Sequence, residues 1–203
     1  MCSRNICAGI RMNKHIDLLC QQYLNILYQK TSSYYKPANI AETSGEILYE
    51  SISKLMPIMC LNENDVFADL GSANGKIISQ IFLTTPVKTA VGIEIVPELH
   101  STAITVSQGI KNDLPHFYEN DRNMIFIQGD FLKTPLDNIT VALINATCFP
   151  PSLLDELGKI INNTPTIRLV LSMRPLVTLQ RLEFKKVIPI ECSWDSTLCY
   201  CYE

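Results

Sequence analysis

The chain has 203 residues, 47% of them hydrophobic and 18% charged, with a net charge of −3. That length supports one domain with a real core but not two comfortable ones, and the composition is that of an ordinary globular protein. No basic run exceeds Lys185-Lys186, which argues against a strong electrostatic hold on nucleic acid or an anionic membrane, and no apolar run approaches a membrane span.

Residues 12–30 carry Ile16, Leu19, Cys20, Tyr23, Leu24, Ile26 and Leu27 at helical spacing. This predicts an amphipathic helix packed on the domain edge. Residues 34–39, with Pro37 and Asn39, read as loop. Thr43-Ser44-Gly45-Glu46 matches a capping box, so a second helix is expected to start near Thr43 and to end before Pro57. Residues 1–60 thus form a helical segment ahead of a core at 61–203, the two expected to fold as one unit.

The core opens with Val66-Phe67-Ala68-Asp69-Leu70, then Gly71-Ser72-Ala73-Asn74-Gly75, then the apolar stretch 77–83. This is a buried strand, a glycine-rich turn and a helix. The glycines permit unusual backbone angles and close approach of a ligand, and the helix start points unpaired N–H groups at whatever lies above it. Strands and helices then alternate. A strand at 87–95 includes Glu94, Pro97 opens a helix, and a strand at 124–128 runs into Gly129-Asp130-Phe131. A strand at 140–145 ends on Asn145, followed by a helix at 152–161 and a strand at 167–172. Residues 184–192 and 196–202 read as two consecutive strands turning at Trp194-Asp195. The pattern predicts an α/β fold: a mostly parallel sheet with helices on both faces, a C-terminal antiparallel hairpin, and N-terminal helices in front.

None of the eight cysteines forms a C-x-x-C pair, so no metal site is expected. The first residues lack an apolar signal core. Both observations point to reduced, mostly buried thiols and a cytoplasmic or nuclear location, with an exported effector equally compatible. The Asn-x-Thr triplets at Asn138, Asn145 and Asn162 are then coincidental. His15, His100 and His116 lie off the predicted strand ends and read as structural or solvated.

Ligands of open α/β sheets bind beyond the C-terminal strand ends, where the strand order reverses. Asp69, Gly71, Ser72, Gly75, Glu94, Asp130, Phe131 and Asn145 all fall there. Glu94, 25 residues after Asp69, suits ribose hydroxyls. Asp130 suits an exocyclic amine, and Phe131 a purine face. A solvated strand end, a turn residue and a cap are the plainer readings of Glu94, Asp130 and Asn145, and the combination with the glycines makes them the minority view. The dinucleotide fingerprint G-x-G-x-x-G is not met, because Ala73 and Ile78 occupy two of its glycine positions. An acid in the turn is poor company for pyrophosphate. It suits a cationic ligand that carries an amino acid, namely S-adenosyl-L-methionine.

Further stretches make the pattern specific: Gly92-Ile93-Glu94, Gly129-Asp130-Phe131-Leu132, Ile144-Asn145-Ala146-Thr147-Cys148-Phe149, Leu171-Ser172-Met173-Arg174-Pro175-Leu176, and Cys192-Ser193-Trp194 with Tyr200. In this order, from Ser44 onward, the chain resembles the catalytic core of the disruptor-of-telomeric-silencing family. These are non-SET histone lysine methyltransferases with a class I methyltransferase (Rossmann-like) fold. The resemblance implies that Asp69, Gly71 and Gly75 hold the methionine end of S-adenosyl-L-methionine, Glu94 the ribose, and Asp130 and Phe131 the adenine, with Ser72 among the cofactor-binding residues of the turn. It implies that Asn145 lines the active site near a lysine channel and that Tyr200 walls that channel. Glu46 falls in the family's cofactor-covering Tyr-Gly-Glu-Thr loop, where Ser44 and Ile47 replace Tyr and Thr. Within these residues the family's basic nucleosome-binding extension has no counterpart, which argues against a nucleosome as substrate.

The implied reaction is in-line transfer of a methyl group to the lysine of a protein partner, with much of the acceleration coming from alignment. A lysine with a pKa near ~10.4 costs about 4–5 kcal/mol to present neutral at pH 7. An apolar channel of Phe149, Trp194 and Tyr200 would lower that cost, and Asn145 would accept a hydrogen bond from the amine. Two alternatives stand beside this reading. One is a class I methyltransferase of RNA or a small molecule, since Asn145 to Phe149 partly resembles the Asn-Pro-Pro-aromatic loop of nucleic-acid amino methyltransferases. The other is a cofactor-binding regulatory subunit. The oligomeric state is left open.

Overall fold

The computed structural model describes residues 14–31 and 45–203. In chain order the elements are α1 (Lys14–Thr31), α2 (Tyr49–Met59), β1 (Val66–Leu70), α3 (Lys76–Thr84), β2 (Thr89–Glu94) and α4 (Pro97–Asp113). A 3-10 turn (Pro115–Tyr118) follows, then β3 (Asn123–Gln128), β4 (Val141–Ile144), α5 (Pro151–Asn162), β5 (Leu169–Ser172), β6 (Phe184–Glu191) and β7 (Ser196–Tyr202). The expected elements are present, with ends that differ by a few residues.

The strands form one seven-stranded sheet in the order β3-β2-β1-β4-β5-β7-β6. Strands β1 to β5 pair in parallel, and β7 runs antiparallel to both β5 and β6. The chain moves outward from β1 to β3, then returns to build β4 and β5 on the other side. The reversal falls between β1 and β4, and this opens a crevice above their C-terminal ends. Val141 to Ile144 and Leu169 to Ser172 are buried throughout, as continuous apolar runs covered on both faces must be.

Alternation along the strands divides the core into two layers. Phe67, Ala90, Val141, Leu143 and Leu171 face a layer built with α1 to α4 through Leu24, Tyr28, Ile52, Leu55, Ile81, Phe82, Val106 and Ile110. Ala68, Leu70, Val91, Ile93, Ala142 and Ile144 face the opposite layer, closed by Leu154, Leu157 and Ile161 of α5 and by the loops carrying Leu136 and Leu176. Helices therefore cover both faces, and α1 contributes buried residues to the first layer.

Below the sheet, Asp65 accepts from Arg168 Nη2 at 2.9 Å and from Arg168 Nε at 3.1 Å, and Thr140 Oγ1 donates to it at 2.7 Å. Burial alone would raise the Asp65 pKa, but hydrogen bonds from Arg168, Thr140 and Asn62 hold it below its ordinary value. This lock ties the entries of β1, β4 and β5 together at the end opposite the crevice.

Three expectations need correction. The second helix starts at Tyr49 rather than near Thr43, and no side chain caps it. Residues 45–48 are extended instead: Ile47 bridges Cys192, Leu48 N–H donates to Glu191 O at 3.0 Å, and Ser193 N–H donates to Glu46 O at 2.8 Å. Pairing with the end of β6 wins over local capping (Thr43, Ser44 and the loop expected at 34–39 lie outside the described residues). The helix also runs through Pro57 to Met59. Proline there forfeits only a bond to Ser53 in the last turn, while Ile52, Leu55 and Met59 gain full burial. Finally, Cys60 is disulfide-bonded, although Cys20, Cys148, Cys192, Cys199 and Cys201 are free thiols.

Candidate functional site

A cavity of about 350 Å³ lies in the crevice above β1, β2 and β4, within the size range of small-molecule sites. Its floor is the turn after β1. Gly71 (φ 90°), Ala73 (φ 48°) and Gly75 (φ 80°) hold left-handed backbone, which glycine adopts without strain. The turn is tied to β2: the N–H groups of Gly71 and Ser72 donate to Ile93 O at 2.9 and 3.0 Å, and that of Ala73 donates to Glu94 Oε2 at 2.8 Å. A Cβ on Gly75 would drive into the Phe126 ring, and one on Gly71 would lie 3.2 Å from the Phe149 ring. Helix α3 starts directly beyond with no side-chain cap, so its positive end faces the cavity.

Asp69 is 2% exposed, and its Oδ1, like Ser72 Oγ, is buried without a hydrogen-bond partner. Burial, and then the charge of Glu94, push the Asp69 pKa well above the carboxylate range. Buried polar atoms are seldom left unpaired in folded proteins. Both belong to residues that line the cavity, so this wall holds unused hydrogen-bonding capacity.

Glu94 is also buried, with one oxygen on Ala73 N–H and the other accepting from Val96 N–H at 2.8 Å. Each oxygen keeps a lone pair for a further donor. Asp130 Oδ1 accepts from Leu132 N–H at 2.9 Å, and Oδ2 lies 3.4 Å from Lys133 Nζ. The turn role and a place on the cavity wall therefore coexist. Phe131 packs on Phe149, with ring centroids 5.6 Å apart. Asn145 lines the cavity too, but its Nδ2 donates to Gly45 O at 2.7 Å and its Oδ1 accepts from Thr147 Oγ1 at 3.3 Å. It therefore joins the loop after β4 to the extended segment above the cavity. Arg174 steadies that loop by donating to Phe149 O at 2.7 Å.

The cavity thus gathers Glu46, Asp69, Gly71, Ser72, Glu94, Asp130, Phe131 and Asn145, with Gly75 beneath the turn. Tyr200 is not among its lining residues. On β7 it stands opposite Ser172, and its ring leans toward Phe184 at 6.4 Å. Trp194 is half exposed and packs over Gly45, and of the three aromatics expected around a lysine channel Phe149 also lines the cavity. Sequence reasoning missed Lys76, whose Nζ sits 2.8 Å from Glu46 Oε2, and the apolar liners Ile77, Ile95, Leu99 and Leu132. Lys76 follows Gly75 directly, so its place in the first turn of α3 was the available signal. Among the described residues no helix is long and apolar enough to cross a membrane.

Comparison with known proteins agrees with this architecture. Residues 25–190 match the family model described as "Histone methylation protein DOT1". A histone-lysine N-methyltransferase, H3 lysine-79 specific, of Caenorhabditis elegans is 29% identical over 119 residues, covering 56% of this chain and 13% of that protein. Its Drosophila melanogaster namesake is 26% identical over 161 residues, covering 73% of this chain and 9% of that protein. The chain thus spans about a tenth of the length of these relatives. An RNA methyltransferase from Salinibacter ruber, crystallised with S-adenosyl-L-homocysteine, superposes with a TM-score of 0.53 at 21% identity over 83% of this chain and 92% of that one. The two share the class I methyltransferase fold.

Proposed function

Because the matched residues 25–190 make up most of it, this chain belongs to the DOT1 histone methylation family, and on that premise we propose that it methylates lysine side chains of a protein, using S-adenosyl-L-methionine. The observation that carries the reading is the unpartnered, buried Asp69 Oδ1 in the wall of a cavity floored by the Gly71–Gly75 turn. A carboxyl group held there with no counter-charge, its pKa raised by burial and by Glu94, gains a partner in the cationic amino-acid end of this cofactor. The free lone pairs of Glu94 fit the ribose hydroxyls, and Asp130 with Phe131 fits an aminopurine. No basic phosphate grip is needed.

When bound, the cofactor supplies a methyl carbon activated by a sulfonium. The chain's own residues do the rest. The tied-down turn fixes the cofactor's amino-acid end, and two hydrogen bonds to backbone hold Glu94 in one orientation. Phe149 and its loop, braced by Arg174, make an apolar wall that favours the neutral form of an incoming lysine. Asn145 has a second lone pair on Oδ1 for the amine, while its Nδ2 keeps the segment over the cavity in place. This is positioning catalysis, with no side-chain base required.

The test is to incubate the purified chain with methyl-labelled cofactor and, separately, with histones and bulk RNA. Label on lysine that drops roughly tenfold or more in Asn145→Ala, as loss of an aligning contact would give, is the expected result. Label on RNA, or on protein at residues other than lysine, overturns the reading.

A further inference from the structure

Among the described residues, three arginines are tied into the fold through both Nε and Nη2. Arg122 donates from them to Val87 O, Phe82 O and Thr85 O. Arg168 uses them on Asp65 and on the carbonyls of Met59 and Cys60, and Arg181 on Ile161 O, Thr164 O and Ile167 O. Arg174 differs. Its guanidinium donates from Nη1 to Phe149 O at 2.7 Å, while its Nε and Nη2 have no partner and no carboxylate pairs with it among the described residues. The residue is partly exposed. A guanidinium edge with free N–H groups is the geometry that grips a carboxylate through two parallel hydrogen bonds.

Arg174 follows the end of β5 at Ser172, in a loop fixed by the bond from Met173 N–H to Ile144 O at 3.0 Å. Its anchor, Phe149, lines the cavity and belongs to the loop that starts at Asn145, which also lines it. The free guanidinium edge is therefore beside the residue proposed to receive the substrate amine. Phe149 and Tyr200 both pack against the second core layer, so they share one side of the sheet. Tyr200 stands opposite Ser172 and Val187, and Leu198 stands opposite Pro189. Alternation puts these side chains on one face. Because β7 is antiparallel to β5, Leu198 lies beyond the strand end that carries Arg174. Val187 is 39% exposed and Leu198 47%, so an open apolar strip runs beside the guanidinium. One guanidinium set among apolar side chains suits a protein segment with a single carboxylate. A run of phosphates takes several cations. We infer that Arg174 is a specificity residue for the acceptor, binding an aspartate or glutamate close to the target lysine in the substrate chain, with the apolar strip receiving the neighbouring side chains. The ion pair holds the substrate in register and takes no part in the methyl transfer.

This inference rests on the protein-lysine reading, so the experiment separates the two. The probes are lysine-centred peptides in which one glutamate is moved through the neighbouring positions on either side, each matched by a glutamine twin. Fluorescence anisotropy reads their binding to the full chain with S-adenosyl-L-homocysteine present, and label transfer reads their methylation, for the natural protein, Arg174→Gln and Arg174→Lys. At one position or more the natural protein should bind the glutamate peptide roughly tenfold tighter than its twin, the scale of one charge-assisted hydrogen bond, with KM following and kcat unchanged. Arg174→Gln should bring that preference to within about twofold. Arg174→Lys, a cation without the fork, should keep part of it. Equal weakening of both twins by Arg174→Gln would leave Arg174 as a brace for the Phe149 loop only, and would overturn the inference. So would a natural protein that binds no peptide or shows no preference; label on histone lysine would in either case keep the lysine reading standing. Label on RNA that Arg174→Gln abolishes would give the guanidinium to a phosphate and overturn both.

Discussion

Asp69 shows how a single residue can be tuned for a ligand at the expense of the empty protein. Its carboxyl is buried beside Glu94, and its pKa lies well above the 3.8 of a free aspartate. Between those two values the folded chain holds a proton that the unfolded chain has released. Stability of the ligand-free protein therefore falls as pH rises from 3.8 through the raised value, and stays lower above it. Asp69→Asn removes the titration. At neutral pH this variant should melt higher than the natural protein, with the gap closing in acid, and it should lose cofactor affinity. Thermal melts from pH 4 to 8 with and without S-adenosyl-L-methionine check both halves. A variant that melts lower and binds normally would refute this account of Asp69. At this scale the sequence was legible for polar side chains fixed to strand ends, since Asp69, Glu94, Asp130 and Asn145 all line the cavity. The pairing of Lys76 with Glu46 was not legible, because Glu46 comes from a distant segment.

Among the elements, hydrophobic pattern and punctuation located every strand of the described residues, because continuous apolar runs and the Gly and Pro breaks are local signals. The extended segment at 45–48 was misread for the opposite reason. Its capping-box pattern is local, but its partners, Glu191 to Ser193, lie some 145 residues away. The lock below the sheet is likewise invisible in sequence, joining Asp65 to Thr140 and Arg168. It makes a prediction about acid. Asp65 sits below the ordinary aspartate value in the fold, so its contribution is present above that value and lost as pH falls through the lowered one. Arg168→Met should cost about 2–3 kcal/mol at neutral pH, less than a fully buried pair would because the arginine is 40% exposed. The cost should shrink as pH falls below 4, and urea titrations at pH 7 and pH 3 measure it. An equal cost at both pH values would assign the loss to packing and to the bond that Arg168 donates to Met59 O.

For the whole molecule, the sheet reverses its strand order where the ligand is wanted, and the lock holds the far end of the same strands. The N-terminal helix α1 lends Leu24 and Tyr28 to the core and sets Tyr28 beneath Lys76, so a segment outside the sheet shapes the ligand end of the cavity. Fold and cofactor class were legible because topology and strand-end chemistry point to the same crevice; the acceptor was legible only through resemblance, since nothing in a cofactor cavity specifies a lysine. The most direct measurement is calorimetric titration of the folded chain with S-adenosyl-L-methionine, repeated on Asp130→Ala. The account predicts micromolar binding that the substitution weakens sharply. Absence of binding by the folded natural chain, or equal binding by Asp130→Ala, would contradict it.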